Sequence, residues 1–226
     1  VTPEALVEAP QPAWRLIPSR FPPIAAFDTV ATPGDLEAVM ELEGWTNDRL
    51  VAERIARLPR EQWVYGTPNA SVVMASFLHA APAGSRFNGP ELGGWYAAAA
   101  LPTAIAEVAH HLRREARARG RTEERRTFRC YTCRLIGRDY RDLRGQQELR
   151  PDLYASTSYA ASQVFGEAVR ASAQSGIVYD SLRHRGGTNV VAFRPRQILD
   201  VVQTGHYDLI VPVEGRIIAR TLRAAV

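Results

Sequence analysis

An α+β fold, with helices and short strands in irregular order around one core, is predicted for this chain on three observations. Helical periodicity dominates the middle of the sequence, short apolar runs of strand length dominate from residue 176 onward, and the two kinds of segment do not alternate as they do in a doubly wound parallel sheet. The 226 residues, 46% hydrophobic and 23% charged, suit one domain with a substantial core. The domain is expected to span residues 1–226, with 1–13 as a poorly ordered N-terminal extension.

Residues 14–17 read as a first strand. Pro18, Pro22 and Pro23 follow and stiffen the loop that carries Arg20. Thr32-Pro33-Gly34-Asp35 reads as an N-cap with proline at the first helical position, opening a helix with Leu36, Val39 and Met40 inward that stops near Gly44. Residues 47–58 read as a second helix, ended by Pro59. Thr67-Pro68 starts another, with Val72, Val73, Ser76 and Phe77 on one stripe. Glycines punctuate 80–94, which reads as a hairpin with Arg86-Phe87 on one arm and Trp95-Tyr96 on the other.

Leu101-Pro102 opens the clearest helix. Ile105, Val108 and Leu112 form its core stripe, Glu107, His111 and Arg114 its polar face, and Gly120 its stop. Residues 128–136 read as a strand and 158–174 as a helix rich in small residues. Five strand candidates follow at 177–179, 189–193, 198–203, 207–211 and 217–221, with Glu214-Gly215 as the turn before the last.

Several functions are set aside on composition. No apolar run reaches the ~18 residues of a membrane span, and the first residues carry acids and prolines without a signal-peptide pattern, so a soluble cytoplasmic protein is expected. Cys130 and Cys133 are the only cysteines. Three apart on a strand, they point to opposite faces and read as packing residues, short of a metal ligand set. All 28 basic residues are arginine, and 13 of them fall in 113–150 against 6 acids. That excess invites a polyanion reading, although acids interleave and no aromatic stacking pattern accompanies them. There is no phosphate-binding glycine loop. Asp180, Ser181 and His184 lack the glycines of a nucleophile elbow.

What remains is a scattered set: Arg20, the run Gly84-Ser85-Arg86-Phe87, Tyr96, Glu107, and the run from Gly176 through Ser181 to Arg183. Each has an ordinary structural explanation alone. Together they have chemical logic, since arginines suit a pyrophosphate, an aromatic face suits a flat ring, and one carboxylate suits a developing sugar cation.

Four blocks in this order, around Arg20, around Arg86 to Asn88, from Trp95 to Glu107, and from Gly176 through Asn189 to Phe193, resemble the signature of the RES domain. That domain is the toxin half of bacterial RES–Xre toxin–antitoxin pairs. The resemblance runs from about Trp14 to the C-terminus. It implies an ADP-ribosyltransferase-like fold, with short β-sheets around an NAD cleft flanked by helices. It also implies roles: Arg20 and Arg86 on NAD phosphates, Tyr96 against the nicotinamide end, Glu107 as the catalytic carboxylate, and Ser181 orienting substrate or carboxylate. NAD would be substrate rather than cofactor, no metal is implied, and inorganic phosphate is a candidate co-substrate. The implied partner is an Xre-family antitoxin, through which alone nucleic acid would be met. Arg-rich 113–129 and the segment 88–94 depart from the pattern.

The chemistry implied is cleavage of the nicotinamide–ribose bond. Nicotinamide in NAD is already cationic and leaves as a neutral amide, so one carboxylate suffices where ordinary glycosides need two. Water as acceptor makes a glycohydrolase, phosphate a phosphorylase, and a protein side chain an ADP-ribosyltransferase. A different class, a non-catalytic arginine-rich nucleic-acid-binding module using 113–150, predicts binding that weakens steeply with salt.

Overall fold

The computed structural model describes residues 5–20, 27–32, 34, 35, 38 and 56–222. Nine strands in these residues join one mixed sheet: β1 (Leu6–Val7), β2 (Ala13–Pro18), β3 (Trp95–Ala98), β4 (Glu123–Leu135), β5 (Tyr140–Asp142), β6 (Gly176–Asp180), β7 (Thr188–Ala192), β8 (Ile198–Pro212) and β9 (Ile218–Thr221). Their order is β1-β5-β6-β7-β3-β2-β4-β8-β9, antiparallel except for β5 with β6. Three α-helices accompany them in the described residues: α1 (Ala70–Leu78), α2 (Leu101–Ala118) and α3 (Ala160–Ala171). The α+β expectation holds.

Strand pleating sorts the side chains. Register pairs Trp14 with Ala98, Ala98 with Asn189, Tyr96 with Val191, and Asn189 with Tyr179, and cross-strand partners share a face. On that face α2 covers the end built from β2, β4 and β8, through Ala104, Ala109 and Leu112 against Leu16, Phe128, Cys130 and Leu209. The β6 and β7 end is covered by α3, through Val169 with Ile177, Val191 and Phe193. The opposite face carries Trp95, Ala97, Val178, Val190 and Ala192 and is covered by α1, through Val73, Met74, Phe77 and Leu78.

Local chemistry explains the ends of these elements. The Asp28 carboxylate accepts from the backbone N–H of Asn69 (2.7 Å) and Ser71 (2.8 Å), so a residue 41 positions upstream satisfies N-terminal donors of α1. Gly120, at φ 63°, ends α2 in the left-handed conformation, and Arg121 N–H returns to the Ala116 carbonyl at 2.9 Å. Thr32 and Asp35 exchange capping bonds, with Thr32 Oγ1 donating to Asp35 Oδ2 at 2.7 Å and accepting from Asp35 N–H at 3.2 Å. Of the helices expected after Thr32 and across 47–58, residues 34, 35, 38 and 56 are described as helical, while most of their length, and the proline loop 21–24, lies outside the described residues.

The structure differs from the sequence reading at four places. Residues 80–94 are not a hairpin: β3 pairs with β2 and β7, and Ser85 and Asn88 close a tight turn on themselves. The glycines signalled that turn, not strand pairing. The runs 198–203 and 207–211 are one 15-residue strand, whose polar Thr204-Gly205 interruption is a bulge opposite Cys130 and Tyr131. β4 begins five residues earlier than read, because the charged stretch from Glu123 is held in the ladder against β8. Within the segment 1–13, Leu6–Val7 pairs with β5 as β1.

Cys130 and Cys133 belong to the clusters on opposite faces, and both are buried free thiols. Burial raises both pKa values, that of Cys133 to about 12, which suppresses the reactive thiolate. A disulfide-exchange reagent at pH 8 is therefore expected to modify neither cysteine in the native protein and both after denaturation. Rapid native labelling of one thiol would show that the packing around it is wrong.

Candidate active site

On the face shared by α2 and α3, the central strands β3 and β7 lie between the two helices, and a cleft of about 1100 Å³ opens there. That is the upper end of ligand cavities, which run to ~1,000 Å³. Its lining includes Arg86, Tyr96, Glu107, Tyr159, Tyr179 and Asn189.

Glu107 sits in the second turn of α2. Its Oε1 accepts from Ser181 Oγ at 2.6 Å and from Asn189 Nδ2 at 2.6 Å, so two buried donors, 6% and 3% exposed, converge on one oxygen. Oε2 accepts no hydrogen bond among the described residues. The face of α2 read as polar is thus a wall of the cleft rather than a solvent face, and Val108 lines the cleft beside Glu107. No ion pair joins Glu107 to His111 among the described residues. Ser181 is itself fixed: its Oγ accepts from the N–H groups of Arg183 (3.1 Å) and His184 (3.0 Å), closing a local turn after β6. Thr103 Oγ1 and His184 Nδ1, 2.8 Å apart, tie that turn to the start of α2.

Tyr96 is on the cleft floor. Its hydroxyl donates to Asn88 Oδ1 at 2.8 Å and accepts from Phe87 N–H at 3.0 Å, and burial drives its pKa upward. A phenol so held presents a ring and no transferable proton. Arg86 Nη1 donates to the carbonyls of Leu153 (3.0 Å) and Ala155 (3.1 Å), and its guanidinium lies 4.8 Å from the centre of the Tyr159 ring. The structure thus brings Arg86, Tyr96 and Glu107 to one cleft, with Ser181 joined to it through Glu107. Arg20 stands apart: two residues beyond β2 and exposed, it is not in the cleft lining.

Other groups escaped the sequence reading. Asn189, the second donor to Glu107, sits inside an apolar strand, and an amide at such a position is the signal that marks it. Arg15 reaches the cleft wall where β2 and β3 touch at only one register pair. Its Nη1 donates to the Tyr96 carbonyl at 2.7 Å, its guanidinium lies 4.7 Å from the centre of the Trp95 ring, and its Nε has no partner. Burial lowers its pKa to about 10. Arg114 and Arg183 join His110 and His111 on the lining near Glu107.

Many arginines of the 113–150 stretch have partners within the chain, but at its surface, with Arg119, Arg121, Arg125 and Arg134 between 46% and 64% exposed. Arg113 and Arg117 donate to the carbonyls of Pro212, Val213 and Gly215. Arg119 and Arg121 hold the buried Glu124, Arg125 holds Asp208, Arg126 holds Glu115, and Arg134 holds Asp200. Among the described residues no three potential ligands cluster for a metal, and no helix is long and apolar enough to cross a membrane.

His110, on the cleft wall, has its pKa lowered to about 4, first by burial and then by Arg183, His111, Arg114 and Arg117. A histidine held below its ordinary value of 6.5 keeps its contribution to stability above pH 6.5 and loses it as pH falls toward 4, because the unfolded chain takes the proton first. The His110 ring is therefore expected to remain neutral at pH 5.5 in an NMR titration of the native protein. A midpoint near 6.5 would contradict the burial and charge described for it.

Comparison with known proteins places this geometry. A 40-residue stretch, 18% of the chain, is 48% identical to an uncharacterized protein y4oC of Sinorhizobium fredii, and the match spans 17% of that protein's length. The fold is similar to a chain in the crystal structure of the M. tuberculosis MbcT–MbcA toxin–antitoxin complex, with a TM-score of 0.51 at 14% identity over 90% of this chain and 86% of that one. Residues 54–212 match the RES domain, a span that holds Arg86, Tyr96, Glu107, Ser181 and Asn189, and the chain belongs to the RES domain family.

Proposed function

We propose that this protein degrades NAD by cleaving the bond between nicotinamide and ribose, passing the ADP-ribosyl group to water or phosphate, and that it acts as a toxin neutralised by an Xre-type antitoxin. The observation that carries the proposal is Glu107, a carboxylate fixed through one oxygen by Ser181 and Asn189 on the wall of a cleft of dinucleotide size. The similarity in fold to a chain solved as part of a toxin–antitoxin complex supports the partner.

In this mechanism the Glu107 carboxylate stands beside C1′ of the nicotinamide ribose and stabilises the cation that develops as nicotinamide departs with its electron pair. Ser181 and Asn189 hold the carboxylate in place, so little reorganisation is needed as charge appears. Arg86 pairs with a phosphate of NAD, and the fixed Tyr96 ring packs against the nicotinamide end. Arg20 is not in the cleft lining among the described residues. Incubating the purified protein with NAD, with and without inorganic phosphate, and identifying all products by mass spectrometry tests the reaction. Free ADP-ribose, its phosphate ester and a modified protein distinguish the three acceptors, and intact NAD in every arm would end the proposal.

Glu107→Gln retains a carbonyl oxygen to accept from Ser181 and Asn189 while deleting the charge. The expected result is a loss in kcat of about 100-fold or more, the scale of one preorganised electrostatic group, with KM and melting temperature little changed, because the cation exists only in the transition state. Cells should then tolerate the variant without antitoxin. Near-normal turnover would mean that the catalytic centre is misplaced.

Arg86→Lys keeps the charge but loses the planar fork. Lysine cannot at once donate to Leu153 and Ala155 and present two parallel donors to a phosphate. An increase in KM for NAD of about tenfold is expected, near 1.4 kcal/mol, with kcat within a few-fold. Unchanged KM and kcat would remove Arg86 from the site.

A further inference from the structure

We propose that Gln163 on α3 is a positioning residue that sets where Arg86 stands in the cleft, an inference that rests on the NAD reading for its kinetic consequence only. The loop 83–93, which carries Arg86 and Asn88, is not anchored by strand pairing beyond the single Ser85–Asn88 bridge. Besides the bonds of Phe87 and Asn88 to the Tyr96 hydroxyl and of Gly93 N–H to the Phe77 carbonyl, it is held along one face of α3. Gln163 Nε2 donates to the carbonyls of Ala83 (2.9 Å) and Ser85 (3.0 Å). One turn on, Gly166 lies under Phe87, so close that a Cβ there would stand 2.0 Å from the Phe87 carbonyl oxygen, and Glu167 Oε1 accepts from Gly89 N–H at 3.0 Å. A further turn on, Arg170 Nη2 donates to Gly93 (2.7 Å) and Leu92 (3.3 Å).

Positions 163, 166, 167 and 170 are i, i+3, i+4 and i+7, neighbours on one helical face. Successive turns of α3 therefore meet successive segments of the loop. The same helix reaches Arg86 from its other end, because Tyr159, immediately before α3, lies against the guanidinium. Gln163 is the member of this face next to Arg86: it lines the cleft and grips the carbonyl of the residue that precedes Arg86. Gly84 gives it room, since a Cβ there would meet Gln163 Nε2 at 2.8 Å and the Asn88 carbonyl at 2.2 Å, and its φ of 70° disfavours other residues. Two amide bonds from one side chain fix the backbone before Arg86, and the 153–159 segment fixes its guanidinium. Neither contact touches Glu107, so the two halves of the site are set separately.

The test compares Gln163→Ala and Gln163→Glu with the wild-type protein. Alanine removes both donors at a helical position that favours it. Glutamate preserves volume but faces both carbonyls with acceptors. Amide hydrogen exchange is read at Ser85, Phe87 and Gly89, and NAD turnover is measured alongside. Exchange about tenfold faster at these amides is expected in both variants, with a KM for NAD raised about five- to tenfold, the scale of two neutral hydrogen bonds, and kcat within about twofold. Melting temperature should barely move. A role in packing alone would make Gln163→Glu behave as wild type, and that result, or unchanged exchange at all three amides in Gln163→Ala, would overturn the proposal. Because exchange needs no NAD, a wild-type protein inert toward NAD defeats the functional reading while exchange still decides the positioning. Faster exchange with an unchanged KM in an active enzyme would show that the loop does not set NAD binding, and would likewise overturn the proposal.

Discussion

Strand pairing at the centre of the sheet is the constraint from which the site follows. Because β3 pairs with β7, and β7 with β6, the side chains of Tyr96, Asn189 and Tyr179 must emerge on one face. The helices on that face pack at its two ends, α2 over β2, β4 and β8 and α3 over β6 and β7. Polar and aromatic groups are therefore left in the interval between them. A one-residue slip of β7 would turn Asn189 into the apolar cluster under α1 and bring a valine toward Glu107, removing one donor and adding an apolar group to the site.

Burial of polar groups here is organised by pairing. Glu124, Asp208, Ser181 and Asn189 are all buried, and each has a partner of opposite charge or hydrogen-bonding role. A buried polar group without one costs roughly 1–3 kcal/mol, which makes the exceptions informative. Arg15 Nε is such an exception on the cleft wall, in contrast to Arg119, Arg121, Arg125, Arg126 and Arg134, which pair with carboxylates. Much of the positive excess of 113–150, conspicuous in the sequence, is paired at the surface where α2, β4 and β8 meet.

Legibility in the sequence divided along physical lines. α2 was readable because its apolar positions recur at helical spacing, a proline opens it and a glycine closes it. β6 and β7 were readable as short apolar runs. β1 and β5 were not, since strands of two and three residues carry no periodicity to detect. The 204–205 bulge imitated a turn, because a polar residue and a glycine mark both. Arg86, Tyr96, Glu107 and Ser181 were found through a resemblance spread over four blocks, and the fold gathers the first three on one cleft with Ser181 behind Glu107. Asn189 was quoted within a block without a role, because its partner lies on a helix far away in sequence. Arg20 drew attention through the prolines around it, whereas Arg15, in the strand just before, is the arginine that reaches the cleft wall.

The two hydrogen bonds on Glu107 bridge 74 and 82 residues of sequence, and this has a bearing on synthesis. A growing chain reaches α2 long before β6 and β7 exist, and until Asn189 has been made and paired in register the carboxylate lacks at least one of its two donors. Contacts this distant in sequence form late, after the entropy of closing the intervening loop has been overcome. The Glu107 carboxylate thus waits for its pair of donors until the segment from Ser181 to Asn189 has been made and has found its register in the sheet.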